Sequence, residues 1–301
     1  MNKIIYLLSF IVILIIISGR KKNINESFEN INNKFENKNR NNIWMYWENL
    51  PGKKKSQYLD LCYKTVKKNC KKNFKIHLLN EKSIYKYIPN LRNDLDHKLN
   101  IQQKVDYIRY ILLFKYGGIW IDADTIIVKD LSPILQKLDY YDFVGFGCHF
   151  NNQNSCANTG KPYPANWVMA SRKNGKLMNL CIKKSNYYLN NISNLKKKYH
   201  LLGREILWSE TQFLLKNDKQ WNYYHYDSKC IERDSNNKKM VNERIISNEE
   251  IDKQCQDKFL FIPIYNTAPG FPYWFTNMNE KQLLESDMLI SKIFRKSLDY
   301  S

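Results

Sequence analysis

Apolar residues recur every three or four positions at Ile101, Val105, Ile108 and Leu112, then every second position at Ile119, Ile121 and Ala123. The first spacing predicts an amphipathic helix over about 97–116, stopped by Gly117. The second predicts a strand whose other face carries Trp120, Asp122 and Asp124. Upstream, Asn42–Glu48 reads as a strand, about 55–69 as a helix, Phe74–Leu79 as a strand and Glu81–Tyr87 as a short helix. Downstream, Asp142–Gly147 and Asn166–Ser171 read as short strands and Gly175–Leu189 as a helix with Leu177, Leu180, Cys181 and Tyr188 inward. A further helix opens at Trp208-Ser209-Glu210-Thr211-Gln212, where Ser209 and Gln212 have capping-box spacing. Strands alternating with helices in this order predict an α/β domain.

Two carboxylates at i and i+2 of one strand face lie ~6.6 Å apart at Cα, which suits a divalent cation carrying a diphosphate. Hard oxygen donors select Mg²⁺ or Mn²⁺ over zinc. A second Asp-x-Asp, Asp94-Leu95-Asp96, has no apolar strand before it and reads as a solvated turn or helix start. Asp106 and Arg109 are helical neighbours. On spacing alone they form an ordinary surface ion pair worth under about 1 kcal/mol.

Taken together, Asp106-x-x-Arg109 followed by Gly117-Gly118-x-Trp120-x-Asp122-x-Asp124 resembles the signature of Asp-x-Asp glycosyltransferases with the GT-A fold. It is most similar to the capsular-polysaccharide-synthesis and yeast initiating-mannosyltransferase-like group, whose core is also similar to the large clostridial glucosylating toxins. The resemblance covers about residues 42–131. It implies a Rossmann-like nucleotide-binding half joined to an acceptor-binding half around one mixed sheet, over residues 42–301. It also implies transfer of a hexose from a UDP- or GDP-sugar to a hydroxyl of a glycan, a lipid-linked glycan or a protein, with retention of configuration. Asp106 and Arg109 would then contact the sugar and phosphates of the donor, and Trp120 would lie against it. Asp124 would bind the metal, and Asp122 would contact ribose, sugar or metal. Trp44 on the opening strand either stacks on the nucleotide base or packs in the core. Glu210 is either part of a helix start or a carboxylate that orients the acceptor. A non-catalytic, membrane-tethered sugar-nucleotide or glycan-binding protein and a metal-dependent phosphohydrolase fit the same residues.

The N-terminus changes the picture. Ile4–Ile17 is an apolar run, short for a membrane span of about 20 residues but compatible with a signal-anchor over residues 1–19. Residues 20–41, rich in Asn, Lys and Glu, read as a polar tether. Arg20-Lys21-Lys22 outnumber Lys3, so the positive-inside rule keeps the domain cytosolic, whereas the resemblance points to a luminal domain in eukaryotic members. Seven cysteines leave at least one thiol unpaired, and Cys62 and Cys70 lie too far apart along their helix to bridge. Asn25 and Asn191 stand in glycosylation sequons. A net charge of +19 comes from scattered lysines with no nucleic-acid-binding signature, so it implies a basic surface near anionic lipid or sugar nucleotides rather than a nucleic-acid partner. Tyr265–Trp274 reads as a loop that either closes over the donor, with Asn266 or Thr267 as a further ligand, or packs on the surface. His225 reads as a core or edge residue.

Overall fold

The computed structural model describes residues 41–49, 52, 55–147, 164–226, 229–231, 233–236, 238, 240, 244–264 and 271–300. The expected anchor, all of the expected tether but Asn41, and Tyr265–Gly270 of the aromatic loop lie outside these. Among the described residues no helix is long and apolar enough to cross a membrane. Residues 41–301 form one compact unit.

The chain opens with β1 (Asn42–Tyr46), α1 (Gln57–Cys70) and β2 (Lys75–Leu79), close to the elements read from sequence. The expected helix over 97–116 is instead two: α2 (Leu95–Lys98) and α3 (Ile101–Tyr116). Asn100 breaks them by accepting from Gln103 N while its own N–H is held by the Gln103 side chain. This reciprocal cap satisfies donors that a continuous helix would have bonded internally. Asp94 and Asp96 are the helix start the sequence suggested. Asp94 receives a two-pronged bond from Arg92 (2.9 and 2.7 Å), and Asp96 pairs with Lys104 at 2.7 Å.

The chain continues through β3 (Gly118–Ile121), β4 (Thr125–Ile127), α4 (Ser132–Lys137), β5 (Phe143–Phe146), β6 (Val168–Ser171) and α5 (Lys176–Asn191). After a π-helical turn at Leu201–Glu205 come α6 (Ile206–Asn217), β7 (Tyr223–Tyr226), β8 (Phe261–Pro263), α7 (Tyr273–Thr276), α8 (Glu280–Glu285) and α9 (Leu289–Leu298). The main sheet runs β2-β1-β3-β6-β5-β7, and β4 pairs with β8 beside it. All its neighbours are parallel except β6, which is antiparallel to both β3 and β5. The expected α/β architecture on one mixed sheet is therefore present. His225 lies on β7, an edge strand, as expected.

Alternation along the central strands divides the core. Trp44, Tyr46 and Trp120 pack under α3, α5 and α6, while Ile43, Met45, Ile119 and Ile121 pack on the opposite side with Ile127, Ile134 and Phe261. Parallel strands buried on both faces need such apolar runs. β1 and β3 align Trp44 with Trp120, so their carboxyl ends open side by side. In open α/β sheets that edge is where ligands bind.

Candidate active site

β3 stops at Ile121, and Asp122, Ala123 and Asp124 form the turn into β4. The expectation that both carboxylates project from one strand face is therefore corrected. Strand pairing ends once Asp122 N has bonded Trp167 O (2.8 Å), and Asp124 O accepts instead from Ile264 N (3.0 Å). The acidic pair sits at the mouth of the sheet, on a turn held from both sides.

Above it lies α3. Asp106 and Arg109 are not a surface pair: their residues are 6% and 3% exposed. Arg109 Nη2 approaches Asp106 Oδ1 (3.1 Å) and Asp122 Oδ1 (3.3 Å), and Nη1 donates to Asn166 O. Asn166 Nδ2 donates to Asp106 Oδ1 at 2.7 Å. A cation buried between two carboxylates is tolerable only because each charge is paired and hydrogen-bonded. Burial pushes the Asp106 carboxyl up to about 6, opposed by Arg109, reinforced by Asp122 and lowered again by Asn166. Burial raises Asp122 as well, with Arg109 and Trp120 opposing. For Arg109 burial favours deprotonation, but Asp122 and Asp106 outweigh it and hold the guanidinium charged.

Trp120 does not offer an open face to a ligand. It is fully buried, with the Arg109 guanidinium 5.1 Å over its ring and its Nε1 donating to Asp122 Oδ1 at 2.7 Å. It supports the two polar groups: the cation–π contact orients Arg109, and the indole N–H fixes one Asp122 oxygen. Trp44 is likewise a core residue, so the base-stacking reading is corrected. His77 stacks on its ring at 4.2 Å, Tyr87 and Tyr116 pack at 5.1 and 5.3 Å, and Nε1 donates to Gly117 O. Glu210 lies on α6 and forms no hydrogen bond or ion pair with this cluster among the described residues. It accepts from Ser209 Oγ (3.2 Å), and its charge acts on buried Cys181 of α5. The expected cap at Ser209 is absent because α6 already begins at Ile206, and Ser209 Oγ donates back to Ile206 O.

Two members of the site escaped the sequence reading. Asn166 stands just before β6, and a polar residue entering a fully buried strand is its signal. Gly203, in the π-turn, touches the pair from above: a Cβ there would fall 2.4 Å from Asp106 Oδ2 and 2.5 Å from Asn166 Nδ2. Tyr110 Oη donates to Gly203 O (2.8 Å), pinning the turn to α3. π-turns of this kind concentrate at functional sites.

Among the described residues no three acidic, His or Cys side chains gather as a metal cage. The arrangement still fits Mg²⁺ or Mn²⁺. Asp122 is 28% exposed in its side chain, and both its bonds fall on Oδ1, so Oδ2 remains open beside Asp124. Such ions are commonly held by one or two carboxylates plus the substrate's phosphates.

Comparison with known proteins adds a family. The model described as "Capsular polysaccharide synthesis protein" matches residues 9–230. No curated protein matches the chain. Solved structures similar to it include the PaToxG glycosyltransferase (17% identity, 64% of this chain, 80% of that chain, TM-score 0.36). The galactosyltransferase LgtC with donor and acceptor sugar analogues is similar at 13% identity, 84% of this chain, 95% of that chain and TM-score 0.44. Mouse xyloside xylosyltransferase 1 is similar at 9% identity, 76% and 98% coverage and TM-score 0.42. These are likenesses of outline, and no residue role follows from them.

Proposed function

From the premise that this chain belongs to the capsular polysaccharide synthesis protein family, matched over residues 9–230, we propose that it is a glycosyltransferase moving a hexose from a nucleoside-diphosphate sugar to a hydroxyl acceptor. The observation that carries this reading is the buried Arg109, clamped between Asp106 and Asp122 at the carboxyl edge of the sheet. Breaking a glycosidic bond to a diphosphate builds negative charge on the leaving phosphate. A fixed guanidinium aimed at that position stabilises it without reorganisation. Asp122 and Asp124 would hold Mg²⁺ or Mn²⁺, which when bound supplies further charge neutralisation to the diphosphate.

Charge balance favours this assignment. Asp106, Asp122 and Asp124 against Arg109 leave the cluster with two net negative charges when all three are ionised. That suits a divalent cation, and the cation in turn suits a diphosphate. Asp106 Oδ2 stands beside Gly203, placed to orient sugar hydroxyls while Asn166 and Arg109 hold Oδ1. Orientation of this kind lowers the entropic cost of reaction. The buried aromatic support beneath Arg109 favours positioning for transfer over simple donor capture, and over a phosphohydrolase with no need to grip a sugar.

The test is direct. In full-length protein, Asp122→Asn and Asp124→Asn should each lower Mn²⁺-dependent transfer or hydrolysis of UDP- or GDP-hexoses by a hundredfold or more, with unchanged circular dichroism. Turnover like that of the unmodified protein in either variant would overturn the proposal.

A further inference from the structure

The π-turn that brings Gly203 against Asp106 and Asn166 also brings the next residue, Arg204, to the rim of the site. Consecutive Cα atoms are about 3.8 Å apart, so Arg204 begins one residue from the carboxylate that orients the donor sugar. Its direction is set by packing. The guanidinium lies 5.1 Å over the ring of Trp208, one helical turn on, and Trp208 Nε1 donates to Pro164 O at 3.1 Å. Arg204 and Trp208 therefore flank the segment 164–166 that delivers Asn166. This is the β6 side of the site, where Trp167 O, next along the segment, also meets Asp122 N.

Arg109 has found protein partners in Asp106, Asp122 and the carbonyls of Asn166 and Val105. Arg204 has not. Among the described residues it forms no hydrogen bond and no ion pair, not even with the adjacent Glu205, and its Nε is buried without a partner. A guanidinium has five N–H donors in a planar fork that matches the oxygens of phosphate and carboxylate. An unmet buried donor is unfavourable, and this side chain has donors left for a ligand. Stacking on Trp208 holds the fork in place beforehand, which reduces the freedom lost on binding.

We infer that Arg204 forms an anion-binding subsite on the acceptor side of the pocket and takes a phosphate or carboxylate group carried by the acceptor glycan. The inference rests on the transfer reading above for the word acceptor, while the anion site itself stands on Arg204, Trp208 and Gly203. The donor's own phosphates have their place at Asp122 and Asp124.

Ligand-observed NMR on the full-length protein tests it, with glucose 6-phosphate, glucuronate and methyl glucoside as probes. Arg204→Gln should weaken both anionic probes at least tenfold and leave methyl glucoside unchanged, whereas Arg204→Lys, keeping the charge but losing the fork, should retain part of the affinity. Which anionic probe loses more tells phosphate from carboxylate. Asp124→Asn should leave anionic binding in place, so failure of sugar transfer and failure of this subsite read out separately. Equal binding of the charged probes to Arg204→Gln and the unmodified protein overturns the inference. So does equal affinity for methyl glucoside, absence of anionic binding altogether, or its loss in Asp124→Asn.

Discussion

At the residue scale, the strongest signature of the site is a carboxyl group that burial and a neighbouring carboxylate make reluctant to ionise. Asp106 is pushed up to about 6, from an ordinary value near 3.8. At low pH both the folded and the unfolded chain carry this proton. Between about 4 and 6 only the folded chain does. The stabilising contribution is thus complete below the ordinary carboxylate value and is lost as pH rises through about 6. Urea unfolding in metal-free buffer should show unmodified protein losing roughly 1–3 kcal/mol across that window relative to Asp106→Asn. A difference that stays flat from pH 4 to 6.5 would remove the claim. The residues behind this behaviour were only half legible. Asp106, Arg109, Asp122 and Asp124 stood out by spacing, but that the first pair is buried does not follow from spacing, which is the same for a solvated pair. Asn166 and Gly203 come from distant segments and act through contact, which a linear pattern does not encode.

At the element scale, the chain reverses between α3 and β3 at a glycine with no substitute. Gly117 has φ 66° and ψ −171°, a region essentially closed to side chains. A Cβ there would also meet Lys173 N at 2.7 Å, a backbone atom that cannot step aside. Its own N–H ends α3 on Leu113 O, and its carbonyl accepts from Trp44 Nε1. Gly117→Ala should therefore cost at least about 1–3 kcal/mol in chemical denaturation. Stability within a few tenths of the original would show that the turn does not need this geometry. The Gly pair was readable as a helix stop because glycine punctuates in any context. Long, periodic elements such as α1, α3 and α5 were also readable. The three-residue strands β4 and β8 were not, since each is too short to show a period and is a strand only by pairing with the other, Thr125 against Pro263 and Ile127 against Phe261.

At the scale of the whole molecule, the C-terminal part carries information on compartment that charge counting around the N-terminal run left divided. Cys230 and Cys255 form a disulfide 25 residues apart, buried against a cluster that includes Met240, Ile245, Phe259 and Ile262. Cys62, Cys70 and Cys181 are buried free thiols, and burial raises all three, which keeps them unreactive. Among the described residues a bridged pair stands beside inert thiols; such bridges persist in oxidising compartments, whereas cytosolic glutathione and thioredoxin keep such pairs reduced. Closing a loop of this length stabilises a fold by about 3 kcal/mol in the chain-entropy account. The expectation is that non-reducing peptide mapping of protein made in its native cell recovers Cys230 and Cys255 on one linked fragment. Cys230→Ser with Cys255→Ser should lower the melting temperature by several degrees while Arg109 and its partners stay in place, because the bridge lies in a different core cluster from the one packed under α3. Recovery of both cysteines as free thiols would assign the catalytic domain to the reducing side, in line with the basic residues that follow the N-terminal apolar run.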